Sequence, residues 1–336
     1  MEQGKAKPWG VRIRAVGMAV PEKVVTNHDL EKILDTSDEW IRTRTGIRER
    51  RIVDRDVASS DLAERAAREA LGKAGWEPQD LDLIVVASAT PDHIFPSTAA
   101  VLQAKLGVAG SGAFDVSAAC SGFVYALSTA AAQVKMGVAR RALVVGAETL
   151  SKIVDWTDRS TAVLMGDGAG AVLLEPTEEG SDEGILSVYL GADGRGGDLL
   201  IQPAGGSRYP ASEETVRQGL HYLKMNGREV FKFAVQIMGD AAEEALKRAG
   251  LTSEDVDLYV PHQANQRIID ASARRFGLPA EKVWLNIDRY GNTSAASIPI
   301  ALAEAEAQGR LKKGDIVLLV AFGGGLTWGA AVVRWS

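Results

Sequence analysis

Three residue types that together can move an acyl group stand far apart in the 336-residue chain: Cys120 in DVSAACSGF, His262 in LYVPHQANQR and Asn292 in RYGNTSAAS. Cys120 is the only cysteine, and its neighbours are Ser, Ala, Ala, Ser and Gly. GAFDVSAA reads as the end of a strand, and SGFVYALSTAAAQVKMG as a helix with Gly137 near its end. The thiol is therefore expected at a strand-to-helix turn, where unpaired N–H groups and the helix dipole favour negative charge. That favours the thiolate, the nucleophilic form. The dipole supplies about 1 kcal/mol, so a cationic or hydrogen-bonding partner is expected to add to it. Small flanking residues let the turn close and leave room for a substrate, as at a nucleophile elbow. A buried structural cysteine fits the same position equally well, and the position alone does not separate the two.

Of the four histidines, His28, His93, His221 and His262, only the last directly follows a predicted buried strand. Asn292 precedes a helix, SIPIALAEA. Taken singly, His262 reads as a satisfied loop histidine and Asn292 as a turn residue beside Gly291. Internal repetition joins them. AAREALGKAGWEPQDLDLIVV (66–86) and AAEEALKRAGLTSEDVDLYVP (241–261) agree at eleven of 21 positions, at an offset of 175. Under that offset His262 falls on Ala87, and Asn292 lies three places before the counterpart of Cys120. A thiol, an imidazole and an amide at repeat-equivalent strand ends favour catalysis over three unrelated structural roles.

The elements that must position these groups follow the same repeat. In DLAERAAREALGKAG, Asp61 is a candidate N-cap with Glu64 three residues on, and Gly75 a stop. LDLIVVA is a continuous apolar run that suits a strand covered on both faces. The second copy gives a helix from about Glu229 to Ala249, then Gly250 and VDLYVP; AVLLE (171–175) is answered by AVVRW (331–335). Helices alternating with buried strands predict an α/β layered fold with mostly parallel sheets. Its two pseudo-twofold halves are 1–180, carrying the cysteine, and 181–336, carrying the histidine and asparagine. The other arrangement such a repeat allows is two similar βα units in one ordinary sheet. The glycine-rich, aperiodic stretch 191–212 reads as a long loop near the site.

Apolar residues make up 46% and charged residues 24% of the chain, as in a globular protein with a sizeable core. A net charge of −6 argues against coating nucleic acid or an anionic membrane. One cysteine makes no intrachain disulfide, which fits a reducing compartment. No apolar run reaches membrane-spanning length, and MEQGKAKPWG has no apolar core of a signal peptide. A cytoplasmic protein is expected.

TSDEWIRTRTGIRER (36–50), DVSAACSGF, GDGAGAVLLE (166–175), VPHQANQRII (260–269), GNTSAAS (291–297) and AFGGGLTWG (321–329) resemble the β-ketoacyl-acyl carrier protein synthase III family. These are thiolase-fold condensing enzymes, and the likeness runs from about Val11 to Trp335. It implies a duplicated thiolase-like fold in α-β-α-β-α layers. It also implies transfer of an acyl group from acyl-CoA, most simply acetyl-CoA, to Cys120, then decarboxylative condensation with malonyl-acyl carrier protein. No cofactor or metal is implied, since the CoA thioester is a substrate.

The same likeness assigns oxyanion stabilisation to the backbone of Cys120 and Gly324; a bare turn explains the glycine run equally well. Trp40 and Arg159 match a pair that sandwiches the CoA adenine. Arg44, Gly227, Phe231, Ala264 and Asn265 match the pantetheine tunnel. Phe322 matches the acyl pocket, and Phe95 a residue that reaches into the partner subunit's pocket, implying a homodimer. Carrier-protein docking falls to Lys232, Arg267, Arg274 and Arg275, for which an ordinary solvated face is the other reading. Thiolases use a second cysteine, which this chain lacks, and elongating synthases a second histidine where this chain has Asn292. A relative serving a secondary-metabolite or polyketide pathway is the alternative. GDGAG runs into the strand-like AVLLE and not a helix, against a dinucleotide fingerprint.

Overall fold

The continuous apolar runs become strands covered on both faces. In a computed structural model describing residues 8–336, β1 (Val11–Ala19), β2 (Leu83–Ala87), β3 (Gly112–Val116), β4 (Ala142–Thr149) and β5 (Asp167–Pro176) form one sheet in the order β1-β5-β4-β2-β3. β6 (Gly184–Ala192), β7 (Leu258–Pro261), β8 (Ile316–Gly323) and β9 (Thr327–Arg334) form a second, in the order β6-β9-β8-β7. The orders superimpose position for position: β1 on β6, β5 on β9, β4 on β8 and β2 on β7. The counterpart of β3 is reduced to one parallel bridge, Tyr259 to Val283. Residues 1–7, which hold most of the N-terminal stretch read for a signal peptide, lie outside the described residues.

Between these nine strands, parallel pairing is confined to β2 with β3 and β4, and to β7 with β8. The other pairs are antiparallel, which corrects the expectation of mostly parallel sheets. β8 and β9 are joined by a turn of three residues, far too short for the crossover that a parallel pair needs.

Helix composition decides which layer each helix occupies. α1 (Asp38–Thr45), α2 (Ser59–Ala74), α3 (Gly122–Lys135), α4 (Gly227–Ala249), α5 (Gln266–Arg275) and α6 (Ser297–Ala307) follow in chain order. α2 has one apolar stripe, and Leu62, Ala66 and Ala70 lay it on Ile84, Val86 and Leu143 on the outer face of the first sheet. α6 is buried from Ser297 to Ala305, as a helix apolar on every side must be. With α3 it fills the space between the sheets, where Phe123, Leu127, Ile298 and Leu302 meet Val85 and Val144 of one sheet and Val260 and Leu319 of the other. α4 covers the second sheet through Ala234, Met238 and Ala242 against Tyr259, Leu318 and Val320. The result is five layers, α-β-α-β-α.

The repeat is visible in the caps. Gly75 and Gly250 both end their helices left-handed, at φ 68° and 67°. Asp61 is not the N-cap of α2: it stands one turn in, and its carboxylate accepts the Ala58 N–H at 2.7 Å. The 191–212 stretch is more ordered than a bare loop. A 3₁₀ turn at Gly194–Leu199 leads into Leu200–Ile201, which pairs with Lys224–Met225.

Candidate active site

Cys120 is the middle residue of the 3₁₀ turn Ala119–Ser121 that feeds α3. Ala119 holds φ 44° there, and Ser294 holds φ 49° in the turn Ser294–Ala296 that feeds α6. Positive φ is uncommon outside glycine, and 119 and 294 differ by the repeat offset. Each half thus builds the same elbow, one with a thiol at its centre and the other with Ala295. The two elbows abut. A Cβ on Gly146 would lie 2.2 Å from the Ala295 carbonyl oxygen, and one on Gly323 would lie 2.6 Å from the Cys120 nitrogen. Small residues here are a steric requirement.

Cys120, His262 and Asn292 line one cavity of about 290 Å³, with Phe322 and Gly324 beside them. Leu200, Ile201, Leu223, Met225, Val230 and Ile268 make the rest of its wall largely apolar. The 191–212 segment thereby supplies part of the site, as its place in the sequence suggested.

His262 follows β7, and its backbone N–H donates to the Val320 carbonyl at 2.7 Å. The ring is buried, Nδ1 is 2.7 Å from Ser297 Oγ, and Phe322 meets it edge-on with centroids 5.6 Å apart. Ser297 Oγ also accepts the Gln263 N–H at 3.3 Å. When the hydroxyl donates to Nδ1, the ring proton sits on Nε2. Burial lowers the imidazole pKa to about 3, so it is neutral at physiological pH.

Asn292 is held at both ends of its backbone: its N–H donates to Leu164 O at 2.8 Å, and its carbonyl accepts Gly166 N–H at 3.0 Å. Its side-chain oxygen accepts the Ser294 N–H at 2.9 Å. The acceptor end of the amide is engaged, which leaves the Nδ2 donors for the cavity.

The expected thiolate does not appear. Although the turn stands at a helix N-terminus, desolvation pushes the thiol of the half-buried Cys120 up to about 12; the Ser294 hydroxyl works against that shift and the buried Glu148 carboxyl nearby adds to it. Desolvating the sulfur works against the dipole and favours a neutral thiol beside the neutral imidazole.

Gly227, Phe231, Ala264 and Asn265 line the same cavity. Trp40, Arg44 and Arg159 lie outside that lining, and Asn265 Nδ2 ties this region to the cavity by donating to the Arg44 carbonyl at 3.1 Å. Arg159 Cζ sits 4.9 Å from the Trp40 ring centroid, and Arg159 also donates to Asp35 O at 2.7 Å. The guanidinium thus lies over the indole at cation–π distance, and Arg44 Cζ lies 5.8 Å from the same centroid. Phe95 is 85% exposed and Ile94 79%.

The basic group is weaker than its charges suggest. Arg275 is spent on Asp240 at 2.6 Å and Glu243 at 3.4 Å, and Lys232 on Glu229 at 2.9 Å. Arg267 lies over the Phe231 ring at 5.5 Å. Arg274 is exposed with no carboxylate partner among the described residues.

Sequence reading missed Glu148, Ser294 and Ser297 around the site. Glu148 had a signal: it is a carboxylate at the end of the otherwise apolar run RALVVGAE. Ser294 sits in a small-residue turn and Ser297 at the first position of α6, and neither had one. Among the described residues, no cluster of three or more His, Cys, Asp or Glu side chains could hold a metal ion, and no helix is long and apolar enough to cross a membrane.

Residues 114–194 match the family model of 3-oxoacyl-[acyl-carrier-protein] synthase III, and residues 246–335 its C-terminal model. The β-ketoacyl-[acyl-carrier-protein] synthase III of Symbiobacterium thermophilum is 58% identical, over 99% of both chains. The crystal structure of 3-oxoacyl-[acyl-carrier-protein] synthase III from Aquifex aeolicus is 51% identical, with a TM-score of 0.89 over 97% of this chain and 100% of that one. The priming β-ketosynthase of the R1128 polyketide pathway is more distant, 36% identical with a TM-score of 0.90 over 100% of this chain and 99% of that one. Near-complete coverage at these identities places the chain in the β-ketoacyl-[acyl-carrier-protein] synthase III family, the thiolase-fold acyltransferases that carry out the initiating condensation of fatty acid synthesis.

Proposed function

We propose that Cys120 accepts an acyl group from an acyl-CoA, acetyl-CoA being the simplest, and that malonyl-acyl carrier protein then condenses with it. The observation that carries this reading is the meeting of Cys120, His262 and Asn292 on one apolar cavity. In the first half-reaction the sulfur attacks the thioester carbonyl and the thiol proton leaves with the CoA sulfur. In the second, malonyl-acyl carrier protein loses CO2, its α-carbon attacks the acyl-cysteine, 3-oxoacyl-acyl carrier protein departs, and the displaced Cys120 sulfur takes up a proton from solvent to restore the thiol. Decarboxylation generates the carbanion, so no carboxylate base is needed. The step needs neutral donors aimed at the malonyl thioester oxygen. His262 Nε2 and Asn292 Nδ2 are the groups left available by their other hydrogen bonds. The backbone N–H groups of Cys120 and Gly324 serve the oxyanion on the acyl-cysteine.

Gly227, Phe231, Ala264 and Asn265 receive the pantetheine arm, and Arg44, Trp40 and Arg159 the nucleotide end. Trp40 then has to part from Arg159 to admit an adenine. Phe322 bounds the acyl pocket. Phe95, exposed on a single chain, reaches a second subunit in a homodimer. Arg267 and Arg274 carry the docking of the acidic carrier protein, with Arg275 and Lys232 contributing less because each is already paired. The reaction uses no cofactor and takes place in the cytoplasm, and the halves divide at 180/181, between β5 and β6. Identity of 58% to a synthase III against 36% to the polyketide enzyme favours the fatty-acid pathway.

Intact mass spectrometry tests the reading. The protein mixed with acetyl-, isobutyryl- and octanoyl-CoA in competition is expected to gain a single acyl adduct. It should map to Cys120, vanish on adding malonyl-acyl carrier protein, and be absent from Cys120→Ala. An adduct elsewhere, or one that persists, overturns it.

A further inference from the structure

Glu148, next to last in β4, has its side chain fully buried and no cation paired to it among the described residues. Its carboxylate is instead gripped by turn groups. Ala89 N–H donates at 3.1 Å, Thr90 N–H at 3.1 Å, Thr90 Oγ1 at 2.6 Å and Ser88 Oγ at 3.3 Å. On its other side Ala295 N–H reaches it at 3.4 Å. One carboxylate therefore ties the loop after β2 to the empty elbow, and Ala89 and Ser294 from those two segments line the cavity beside Cys120. Ser294 Oγ, itself 2% exposed, has no hydrogen-bond partner of good geometry. It is a buried hydroxyl within reach of both the Cys120 thiol and the Glu148 carboxyl, and it lowers the pKa of each.

We propose that Glu148 is a positioning residue that sets the protonation of Cys120 across the Ser294–Ala295 turn, keeping the thiol neutral until a thioester arrives. Two anions separated by one buried turn are mutually unfavourable, so an ionised Glu148 behind Ala89 and Ala295 opposes a thiolate at Cys120. The Ser294 hydroxyl works the other way, as the donor that would solvate the thiolate. The neighbouring titratable groups are otherwise engaged or neutral. Asp167 on β5 accepts from Ser151 and Val53, Asp92 accepts from Ser60, and His262 is uncharged. Desolvation raises the half-buried thiol and the fully buried Glu148 carboxyl alike.

This rests on Cys120 being the reactive thiol, but its test needs no substrate. The rate of Cys120 alkylation by iodoacetamide is followed against pH by mass spectrometry. Glu148→Gln keeps the shape and removes the charge. Its alkylation profile is expected to move to lower pH by about one unit, the size of a neighbouring-charge effect. Ser294→Ala is expected to move it to higher pH. Alanine is tolerated in that backbone conformation, since Ala119 adopts it at the equivalent position. The opposite signs distinguish a protonation effect from loss of packing, which would lower the melting temperature and leave both profiles in place. Unmoved profiles, or shifts of the same sign, overturn the proposal. Failure of acyl transfer with the shifts intact would instead overturn the functional reading.

Discussion

At the residue scale the site sets a thiol and two hydrogen-bond donors in a largely apolar wall. His262 has its pKa lowered to about 3 by burial, so protonation favours the unfolded chain once the pH drops below the ordinary value near 6.5. From pH 6.5 towards 3 the wild type is expected to lose about 1.4 kcal/mol of stability per pH unit from this group. A thermal-melt series between pH 6.5 and 5, above the range where ordinary carboxylates titrate, checks this. The melting temperature should fall with pH more steeply in the wild type than in His262→Gln. Asn292 has its acceptor tied to Ser294 N–H and so offers only donors. Asn292→Ala is expected to slow condensation by 10²-fold or so, in line with loss of one oxyanion-type donor, while acylation of Cys120 falls far less. Rapid-quench measurement of the two half-reactions would show it, and equal losses in both would refute that division of labour. The three residues were legible in the sequence because each breaks the repeat: a thiol opposite Ala295, an imidazole opposite Ala87, an amide three places before an elbow. Their protonation was not legible. The helix terminus pointed to a thiolate, but desolvation is set by what packs around the sulfur, and the nearby Glu148 is 28 residues along the chain.

At the element scale, the elbows work because backbone meets backbone. A Cβ on Gly323 would stand 2.6 Å from Cys120 N and 3.1 Å from Ser121 N, and neither can swing aside as a side chain could. Gly323→Ala is expected to displace the nucleophile's turn and lower adduct formation by about 10²-fold, the cost of misplacing a reacting atom by about 1 Å. Folding should persist, because Gly323 is not in a left-handed conformation. Single-turnover acylation with circular dichroism on the same sample separates the two effects. The alternation of helix and buried strand, and the glycine stops at 75 and 250, were readable in advance. Strand direction was not. β9 turns back on β8 within three residues, and a two-faced apolar run looks alike whether its neighbour is parallel or antiparallel. Asp61 misled for a related reason, since a carboxylate accepts an N–H as readily from one turn inside the helix as from the cap position.

At the scale of the whole molecule, a chain of net charge −6 is proposed to meet an acidic carrier protein, so local positive charge must overcome the general repulsion. The sequence offered four cations for that role. Their availability depended on partners distant in sequence, Asp240 and Glu243 for Arg275 among them, and periodicity does not report those. Arg274→Glu is expected to raise the KM for malonyl-acyl carrier protein about fivefold at low salt, with kcat and the rate of acylation by acyl-CoA unchanged. The penalty should shrink at high ionic strength. A salt series of initial rates tests this, and an effect on kcat alone would count against a docking role.

The contact between Arg159 and Trp40 has a thermodynamic consequence for the proposed nucleotide site. With its guanidinium already on the indole face, the protein holds a built-in rival for the seat an adenine would take. Apparent affinity for a CoA ester is then the intrinsic affinity scaled by the fraction of molecules in which the rival has swung away. A short pantetheine thioester, which has no purine, escapes that tax. Discrimination between the full and truncated donors therefore measures how firmly the enzyme is occupied by itself.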